Sequence, residues 1–222
     1  MCGRFTQYSD ISTYAEYLDA EVGSQTEYTP HYNVAPTQSI WAARLSTEGQ
    51  RELVTLRWGL VPHWSKGIDN RYSMINARAE TVHEKPAYRD AFKRRRCLIP
   101  ANGFYEWQQA DGKQPYYIKR TDDEPFAFAG IWEHWEGEGG EVIESCSIIV
   151  TEANDLLAKI HDRMPVILPK KAFGKWLDPD QSHPNQRNLL KPFPSVFMTM
   201  YPVSRTVNTP KNDKPDLIQP SG

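Results

Sequence analysis

Apolar and polar residues alternate along short segments over most of this chain, with turn-forming residues between the segments. Alternation with a period of two places every second side chain on the same face of a strand. Strands are predicted near residues 39–46, 52–59, 97–99, 103–109, 115–120, 126–135 and 142–151. Asp111-Gly112 and Glu138-Gly139-Gly140 separate successive segments and favour tight turns. Strands that follow one another across tight turns predict an antiparallel meander.

Helical spacing is confined to a few short segments. Ile11, Tyr14 and Leu18 would share one face of a helix over about residues 10–20, which Ser9-Asp10 can cap. Other elements are predicted as short helices from Pro86 to Lys93-Arg94-Arg95-Arg96, after Thr151 or Asn154, and near 169–177, and as strands near 166–168 and 196–203. We interpret the basic run at 93–96 as a solvated helix end, since cations suit the C-terminal end of the helix dipole.

Strands outnumber helices, so the sequence predicts an α+β fold. We expect a single domain over residues 1–222, with a curved, barrel-like, mostly antiparallel β core flanked by short helices. Residues 207–222 are polar and are predicted to form an extended C-terminal tail. No apolar run approaches the ~18 residues that a membrane span needs, and the first residues lack a signal-peptide pattern.

The net charge of −2 argues against a nucleic-acid partner when it is taken alone. The distribution of charge is less neutral than the sum. Residues 51–100 contain 11 Lys and Arg against 5 Asp and Glu, whereas residues 121–144 contain eight acidic residues and no Lys or Arg. Residues 60–73 predict a long aromatic and basic loop, and loops of that length are often functional. The sequence therefore permits a basic face that the average hides.

The three cysteines are isolated from one another and from any paired histidine. This spacing forms no zinc motif, so we expect neither a metal nor another cofactor, and the odd count argues against a disulfide framework. Cys97 and Cys146 lie in apolar segments and are interpreted as buried core residues. Cys2 differs from them, because removal of Met1 would make it the first residue of the chain.

An N-terminal cysteine carries an amine and a thiol on adjacent carbons. The ordinary pKa of such an amine is about 7.7–8.0, so much of it is neutral and nucleophilic at neutral pH. An aldehyde would form an imine with the amine, and the thiol would then close on the imine carbon to give a thiazolidine ring. The amine could instead act as the base for the thiol, as in N-terminal nucleophile hydrolases. The first residues alone favour a third interpretation, an incidental buried cysteine.

Eight short motifs follow one another along the chain. They are Met1-Cys2-Gly3-Arg4-Phe5, Tyr32-Asn33-Val34-Ala35-Pro36, Arg57-Trp58-Gly59-Leu60-Val61-Pro62, Ile75-Asn76-Ala77-Arg78-Ala79-Glu80-Thr81, Arg96-Cys97-Leu98-Ile99-Pro100, Gly103-Phe104-Tyr105-Glu106-Trp107, His161-Asp162-Arg163-Met164-Pro165 and Val207-Asn208. Together they resemble the SRAP family (SOS response-associated peptidase; abasic-site processing proteins) over nearly the whole length. Two positions depart from the family: His31 stands where Arg is usual, and Asn102 where Asp is usual.

The resemblance implies a covalent reaction between Cys2 and an abasic site in single-stranded DNA, as part of a DNA damage response. The amine and thiol of Cys2 would condense with the ring-opened C1′ aldehyde to form a thiazolidine crosslink that shields the lesion. Glu106 would be the general acid and base, with a pKa raised by its aromatic neighbours. The alternative for Glu106 is an exposed residue of a strand.

The resemblance gives two more residues a part in this chemistry. His161 would assist proton transfer and hold the opened sugar oxygen, and its place after a helix would favour the charged form through the helix dipole. Asn76 would orient Cys2 and the lesion, since its amide can donate and accept at once. A buried structural asparagine is the competing account of Asn76.

Five residues are expected to contact DNA. Arg4 and Arg78 would clamp the phosphates that flank the lesion, although either could form a structural ion pair instead. Trp64 and Pro62 would form an apolar surface or wedge beside the lesion, because exposed bases stack on aromatic rings. Asn33, within the second motif, is the fifth expected contact.

Two other classes of function stay open at this point. One is an N-terminal cysteine peptidase or amidotransferase, and the other is a non-covalent reader of modified bases in DNA. The imine could also undergo β-elimination, so weak AP-lyase activity is expected, and self-cleavage between Met1 and Cys2 would mature the protein. The expected partner is single-stranded DNA with an abasic site. The protein is expected to act as a monomer and not to bind a membrane. The expected location is the cytoplasm and nucleoid of a bacterium, or the nucleus of a eukaryote.

Overall fold

The computed structural model describes residues 2–23, 28–67, 74–108, 113–180 and 183–221. Its strands are β1 (Phe5–Gln7), β2 (Glu21–Val22), β3 (His31–Val34), β4 (Ser39–Leu45), β5 (Arg51–Trp58), β6 (Asn76–Arg78), β7 (Arg96–Ala101), β8 (Gly103–Gln108), β9 (Gln114–Arg120), β10 (Phe126–Glu136), β11 (Val142–Glu152), β12 (Arg163–Pro165) and β13 (Met198–Pro202). Its helices are α1 (Ile11–Leu18), α2 (Arg89–Arg94), α3 (Phe173–Leu177) and α4 (His183–Arg187), and short 3-10 turns cover Leu157–Lys159, Lys170–Ala172, Ser195–Phe197, Arg205–Asn208 and Pro215–Ile218.

Five strands close on themselves as a barrel. Strands β11, β10, β7, β4 and β5 are hydrogen-bonded in that order, and β11 pairs with β5 to complete the ring. The closing pair is parallel, with Cys146 opposite Trp58, whereas the other four pairings of the ring are antiparallel. The predicted α+β class with a barrel-like, mostly antiparallel core and short flanking helices is therefore confirmed.

A second sheet has the order β13-β9-β8-β1-β3. Alternate residues of the barrel strands contribute to two apolar clusters, as a period of two requires. One cluster packs against the helices and includes Tyr14, Phe92 and Trp176. The other joins the barrel to the second sheet and contains Cys2 and Phe5. This packing brings the start of the chain into the middle of the molecule.

Most predicted elements are confirmed within a residue or two, but helix α2 begins later than expected. Pro86 lies in a turn, and the helix starts at Arg89. At Tyr88 the backbone φ of −127° is not helical, and its hydroxyl donates to the carbonyl of Asn76 at 3.2 Å. The tertiary contact of the Tyr88 ring thus displaces the helix start that proline favoured. The predicted Asp111-Gly112 turn lies outside the described residues.

The structure also differs from the predictions at the start of α1 and near residues 166–168, and it identifies the residue that caps the short helix between them. Asp10 precedes α1, but its side chain makes no capping hydrogen bond. Of the two residues proposed to cap the next short helix, Asn154 does so, because its Oδ1 accepts from the amides of Leu156 and Leu157 at 3.1 and 3.0 Å. The strand expected near 166–168 is a single antiparallel bridge between Ile167 and Phe128, and the longer strand of this segment, β12, covers Arg163–Pro165.

The C-terminal segment is folded onto the protein rather than extended. It forms 3-10 turns at Arg205–Asn208 and Pro215–Ile218. Val207 and Leu217 are buried in a cluster with Tyr105 and Tyr117, which are residues of β8 and β9. The polar average of this segment conceals these two apolar anchors. No helix in the described ranges is long and apolar enough to cross a membrane.

Candidate active site and nucleic-acid interface

Cys2 lies just before β1 and is completely buried. Its Sγ lies 3.9 Å from the carbonyl oxygen of Arg4. Burial raises the pKa of the thiol well above its usual range, and the negative charge of Glu106 raises it further. The thiol is therefore stored in its protonated form and needs a base before it can attack.

Asn76 holds the backbone of Cys2. It begins β6, a strand that pairs in parallel with β11, and its Nδ2 donates to the carbonyl oxygen of Cys2 at 2.8 Å. Its Oδ1 is buried and accepts no hydrogen bond from the described residues. A buried acceptor without a donor is costly, so this oxygen is suited to receive a donor from a bound molecule.

Glu106 lies on β8, which pairs with β1 through Phe5 and Phe104. Strand alternation places Glu106 on the same face as Phe104, toward the cluster that contains Cys2. Glu106 is 2% exposed, and burial raises the pKa of its carboxyl group from 4.5 to about 7. The alternative of an exposed strand glutamate is therefore wrong, and the predicted raised pKa is confirmed. A carboxyl group with this pKa can give and take a proton near neutral pH.

His161 follows the 3-10 turn Leu157–Lys159. Its Nδ1 accepts from the amide of Arg163 at 2.9 Å and lies 3.0 Å from a carboxylate oxygen of Asp162. Burial lowers the pKa of His161, so the expected preference for the charged form is wrong. A three-residue turn has a weak dipole, and desolvation outweighs it. The contact with the Arg163 amide favours the neutral tautomer that carries its proton on Nε2.

The side chain of Arg4 is held by the second sheet and the C-terminal segment. Its Nη1 donates to Oδ1 of Asn33 at 2.8 Å and to the carbonyl of Val207 at 3.0 Å, and its guanidinium lies 5.9 Å from the centre of the Trp107 ring. The Trp107 ring in turn donates its Nε1 proton to Asn208 at 2.7 Å. Arg4 is thus fixed in place while part of its surface stays accessible.

Asn33 is 1% exposed, and its amide group is engaged on both atoms. Besides accepting from Arg4, it donates Nδ2 to the carbonyls of Val207, Thr209 and Asn212. The structure therefore gives Asn33 a supporting contact to Arg4. Its direct contact with DNA stays a prediction.

Arg78 and Trp64 are the exposed members of the predicted DNA contacts. Arg78 ends β6, two residues after Asn76, so the two side chains leave the strand on one face. Trp64 is 58% exposed. Pro62 is buried, so of the two residues predicted to form an apolar surface beside the lesion only Trp64 is exposed.

The loop that carries Trp64 is anchored by residues of β10 that no sequence motif indicates. Glu133, on β10, is 2% exposed; it forms an ion pair with Arg95, and its Oε2 lies 3.1 Å from Nδ1 of His63. Trp135 also donates its Nε1 proton to the carbonyl of Ser65 at 2.7 Å. The available signal was an acidic residue, Glu133, at a position of β10 that alternation would place on one face. Only the register of β10 with its neighbouring strands shows that this face points inward.

The chain belongs to the SRAP family, because the model of that family, SOS response associated peptidase, matches residues 1–210. Two relatives in Bacillus subtilis strain 168 are similar over almost their whole length. The abasic site processing protein YoqW is 43% identical over 99% of both chains, and YoaM, with the same description, is 44% identical over 98% of this chain and 97% of its own. The mouse abasic site processing protein HMCES is 33% identical over 88% of this chain and 66% of its own length.

A solved structure supports the same assignment of the fold. A crystal structure of a protein from Bacteroides thetaiotaomicron superposes with a TM-score of 0.88 at 29% identity, covering 99% of this chain and 100% of that one.

Proposed function

We propose that this protein processes abasic sites in single-stranded DNA through a covalent bond to Cys2, once Met1 has been removed. The observation that carries the proposal is the buried Glu106, whose pKa of about 7 accompanies a thiol that burial keeps protonated. The family and the names of the relatives supply the substrate class. The residues supply the chemistry.

The reaction requires one proton donor that becomes a base. Glu106 in its acid form protonates the ring oxygen O4′ as the C1′–O4′ bond breaks, and the C1′ hydroxyl gives up its proton to solvent to leave an aldehyde. The Cys2 amine attacks C1′, and loss of one water gives the imine. The thiol proton then passes to the Glu106 carboxylate while sulfur bonds to C1′, and the ring nitrogen takes a proton back from solvent. The net change is one thiazolidine formed and one water released.

His161 and Asn76 hold the reacting groups. The Nε2 proton of neutral His161 is suited to donate to the freed O4′ hydroxyl oxygen. Asn76 already fixes the Cys2 carbonyl, and its buried Oδ1 can accept from the sugar or from the amine. Two hydrogen bonds from one amide would thus align the nucleophile and the lesion.

Arg4 and Arg78 are proposed to bind the flanking phosphates, and Trp64 to stack on a neighbouring base. Single-stranded DNA with its bases unstacked suits the buried Cys2, because the sugar of a stacked nucleotide cannot reach it. All four reacting residues come from one chain, so we propose that a monomer acts. Its place of action would be where the DNA is: the nucleoid of a bacterium or the nucleus of a eukaryote.

Two further activities follow from the same site. The imine can lose the 3′ phosphate by β-elimination before the thiol closes, which would appear as weak strand cleavage. Hydrolysis of the peptide bond between Met1 and Cys2, with Glu106 as the nearby acid and base, would account for the word peptidase in the family description.

A denaturing gel tests the crosslink. The Met1-processed protein is mixed with a labelled single strand that carries one abasic site, and a heat-stable shifted band is expected. The band should vanish in Cys2→Ala and when one residue is added before Cys2. Cys97→Ala is the matched control, because Cys97 is also a fully buried free thiol, and it should keep the band.

Each other result points elsewhere. A band that survives the added residue would exclude the amine. Release of ammonia from glutamine without any band would favour an amidotransferase, and tight binding without a band would favour a non-covalent reader.

A further inference from the structure

A surface groove of about 600 Å³ lies outside the site described above. Its apolar lining comes from the end of α1, the segment after β12 and the segment before β13. The lining residues are Tyr17, Ile167, Pro192, Phe193, Pro194 and Phe197. None of the residues proposed to react with DNA or to bind it lines this groove. It therefore needs an explanation of its own.

Two consecutive apolar residues are exposed here: Phe197 lines the groove, and Val196 precedes it in the chain. Val196 is 73% exposed and Phe197 is 52% exposed, and they are two of the five exposed large hydrophobic residues in the described ranges. Phe197 lies against Phe193, with ring centres 6.1 Å apart, while Phe193 is almost buried. Exposed apolar residues that continue a groove are typical of a surface that a partner covers.

The charges at the groove are unevenly balanced. Among the charged residues that line the groove, Arg120 pairs with Asp122, and Lys170 lies 3.8 Å from Glu124, so these four charges cancel. Lys171 and Lys191 also line the groove and are exposed. Neither has a carboxylate within ion-pair distance among the residues that the structure describes. The groove therefore carries two uncompensated positive charges beside its apolar floor.

We propose that this groove binds an acidic peptide segment of another protein, in which a large apolar side chain is flanked by carboxylates. The apolar side chain would lie against Phe193 and Phe197, and the carboxylates would meet Lys171 and Lys191. A nucleic acid fits less well, because the paired charges around Arg120 and Lys170 leave only Lys171 and Lys191 to neutralise a continuous row of phosphates. The proposal does not depend on the chemistry of Cys2.

Fluorescence anisotropy with three labelled dodecapeptides tests this binding. The peptides share the same phenylalanine positions and place aspartate, serine or lysine between them. The aspartate peptide should bind saturably and about tenfold more tightly than the serine peptide, and the lysine peptide should not bind. Failure of the aspartate peptide to bind, or equal binding of all three, would overturn the proposal.

Variants locate the binding. Phe197→Ser and the double variant Lys171→Glu/Lys191→Glu should each weaken it about tenfold or more. Lys175→Glu is the matched control, since Lys175 is an exposed lysine of α3 outside the groove, and it should leave binding unchanged. Abasic-site crosslinking should be the same in all of them, so failure here is separate from failure of the proposed function.

Two other occupants have their own signatures, and either would overturn the proposal. A dT12 oligonucleotide that displaces the aspartate peptide, with binding lost in Phe197→Ser, would assign the groove to nucleic acid. A concentration-dependent dimer in sedimentation velocity that Phe197→Ser dissociates would assign it to a second copy of this chain.

Discussion

Two glutamates of this protein are equally buried, but a different effect dominates at each. Glu106 on β8 and Glu133 on β10 are each 2% exposed. Glu133 meets the guanidinium of Arg95 and the ring of His63, so its charge is compensated and joins a helix end to a loop. At Glu106 desolvation dominates and raises the pKa to about 7. Burial alone thus does not make a carboxylate an acid–base group; its neighbours decide whether it serves structure or proton transfer.

The largest expected effect comes from Glu133→Gln. Removing the buried carboxylate should lower the free energy of unfolding by about 3 kcal/mol, the low end for a broken buried pair, because the half-buried Arg95 loses its counter-charge. Denaturant unfolding at pH 7 measures this. Glu136→Gln on the same strand is the matched control, since Glu136 is exposed, and it should change stability by less than about 0.5 kcal/mol. Equal effects of the two variants would show that Glu133 is not held as described.

The second expectation is that removing the carboxylate of Glu106 stabilises the protein above neutral pH, whereas removing that of Glu133 destabilises it. Because its pKa is raised from 4.5 to about 7 in the folded protein, the folded state keeps a proton that the unfolded state releases between these pH values. Wild-type stability should therefore fall as the pH rises through this window, by up to about 3 kcal/mol at 1.36 kcal/mol per pKa unit. Glu106→Gln should lack this fall and be the more stable protein at pH 8. A parallel pair of pH–stability curves would contradict the raised pKa.

The third expectation concerns rate. Glu106→Gln should slow crosslinking of abasic DNA about a hundredfold, which is the usual scale of general acid–base catalysis. Its affinity for the same strand should stay within about twofold, because the amide keeps the shape of the side chain. Single-turnover gels give the rate and anisotropy gives the affinity. Equal losses in both measurements would assign Glu106 to binding.

The smallest expected effect is at the loop that Glu133 anchors. Trp64→Ala should weaken binding of abasic single strands by about 1 kcal/mol, the loss of one stacked base, without changing stability. Val142→Ala removes another exposed apolar side chain and should do nothing. If Trp64→Ala lowers the maximal crosslinking rate instead of the affinity, the ring acts on the sugar and not on a neighbouring base.

The strands and their antiparallel order could be predicted because alternation is a local signal. A barrel-like core was also expected, but the strand pair that closes it could not be identified, because β11 pairs in parallel with β5, which lies far away in the sequence. The motifs indicated Cys2, Asn76 and Glu106 as candidate site residues. The structure shows a direct hydrogen bond from the side chain of Asn76 to the backbone of Cys2. The charge state expected for His161 was wrong, since a dipole argument from sequence omits desolvation. The role of Glu133 was missed, because its cations come from distant segments.

The hydrogen bond from Arg4 to Val207 spans 203 residues of sequence. During synthesis Cys2, the proposed nucleophile, therefore leaves the ribosome long before the segment that fixes its neighbouring arginine. Until residues 207–212 emerge, Asn33 and Trp107 also lack their bonds to them. A nascent chain should thus carry the proposed nucleophile without the ordered arginine beside it. The proposed site would form only once this late segment has folded back onto β1 and β8.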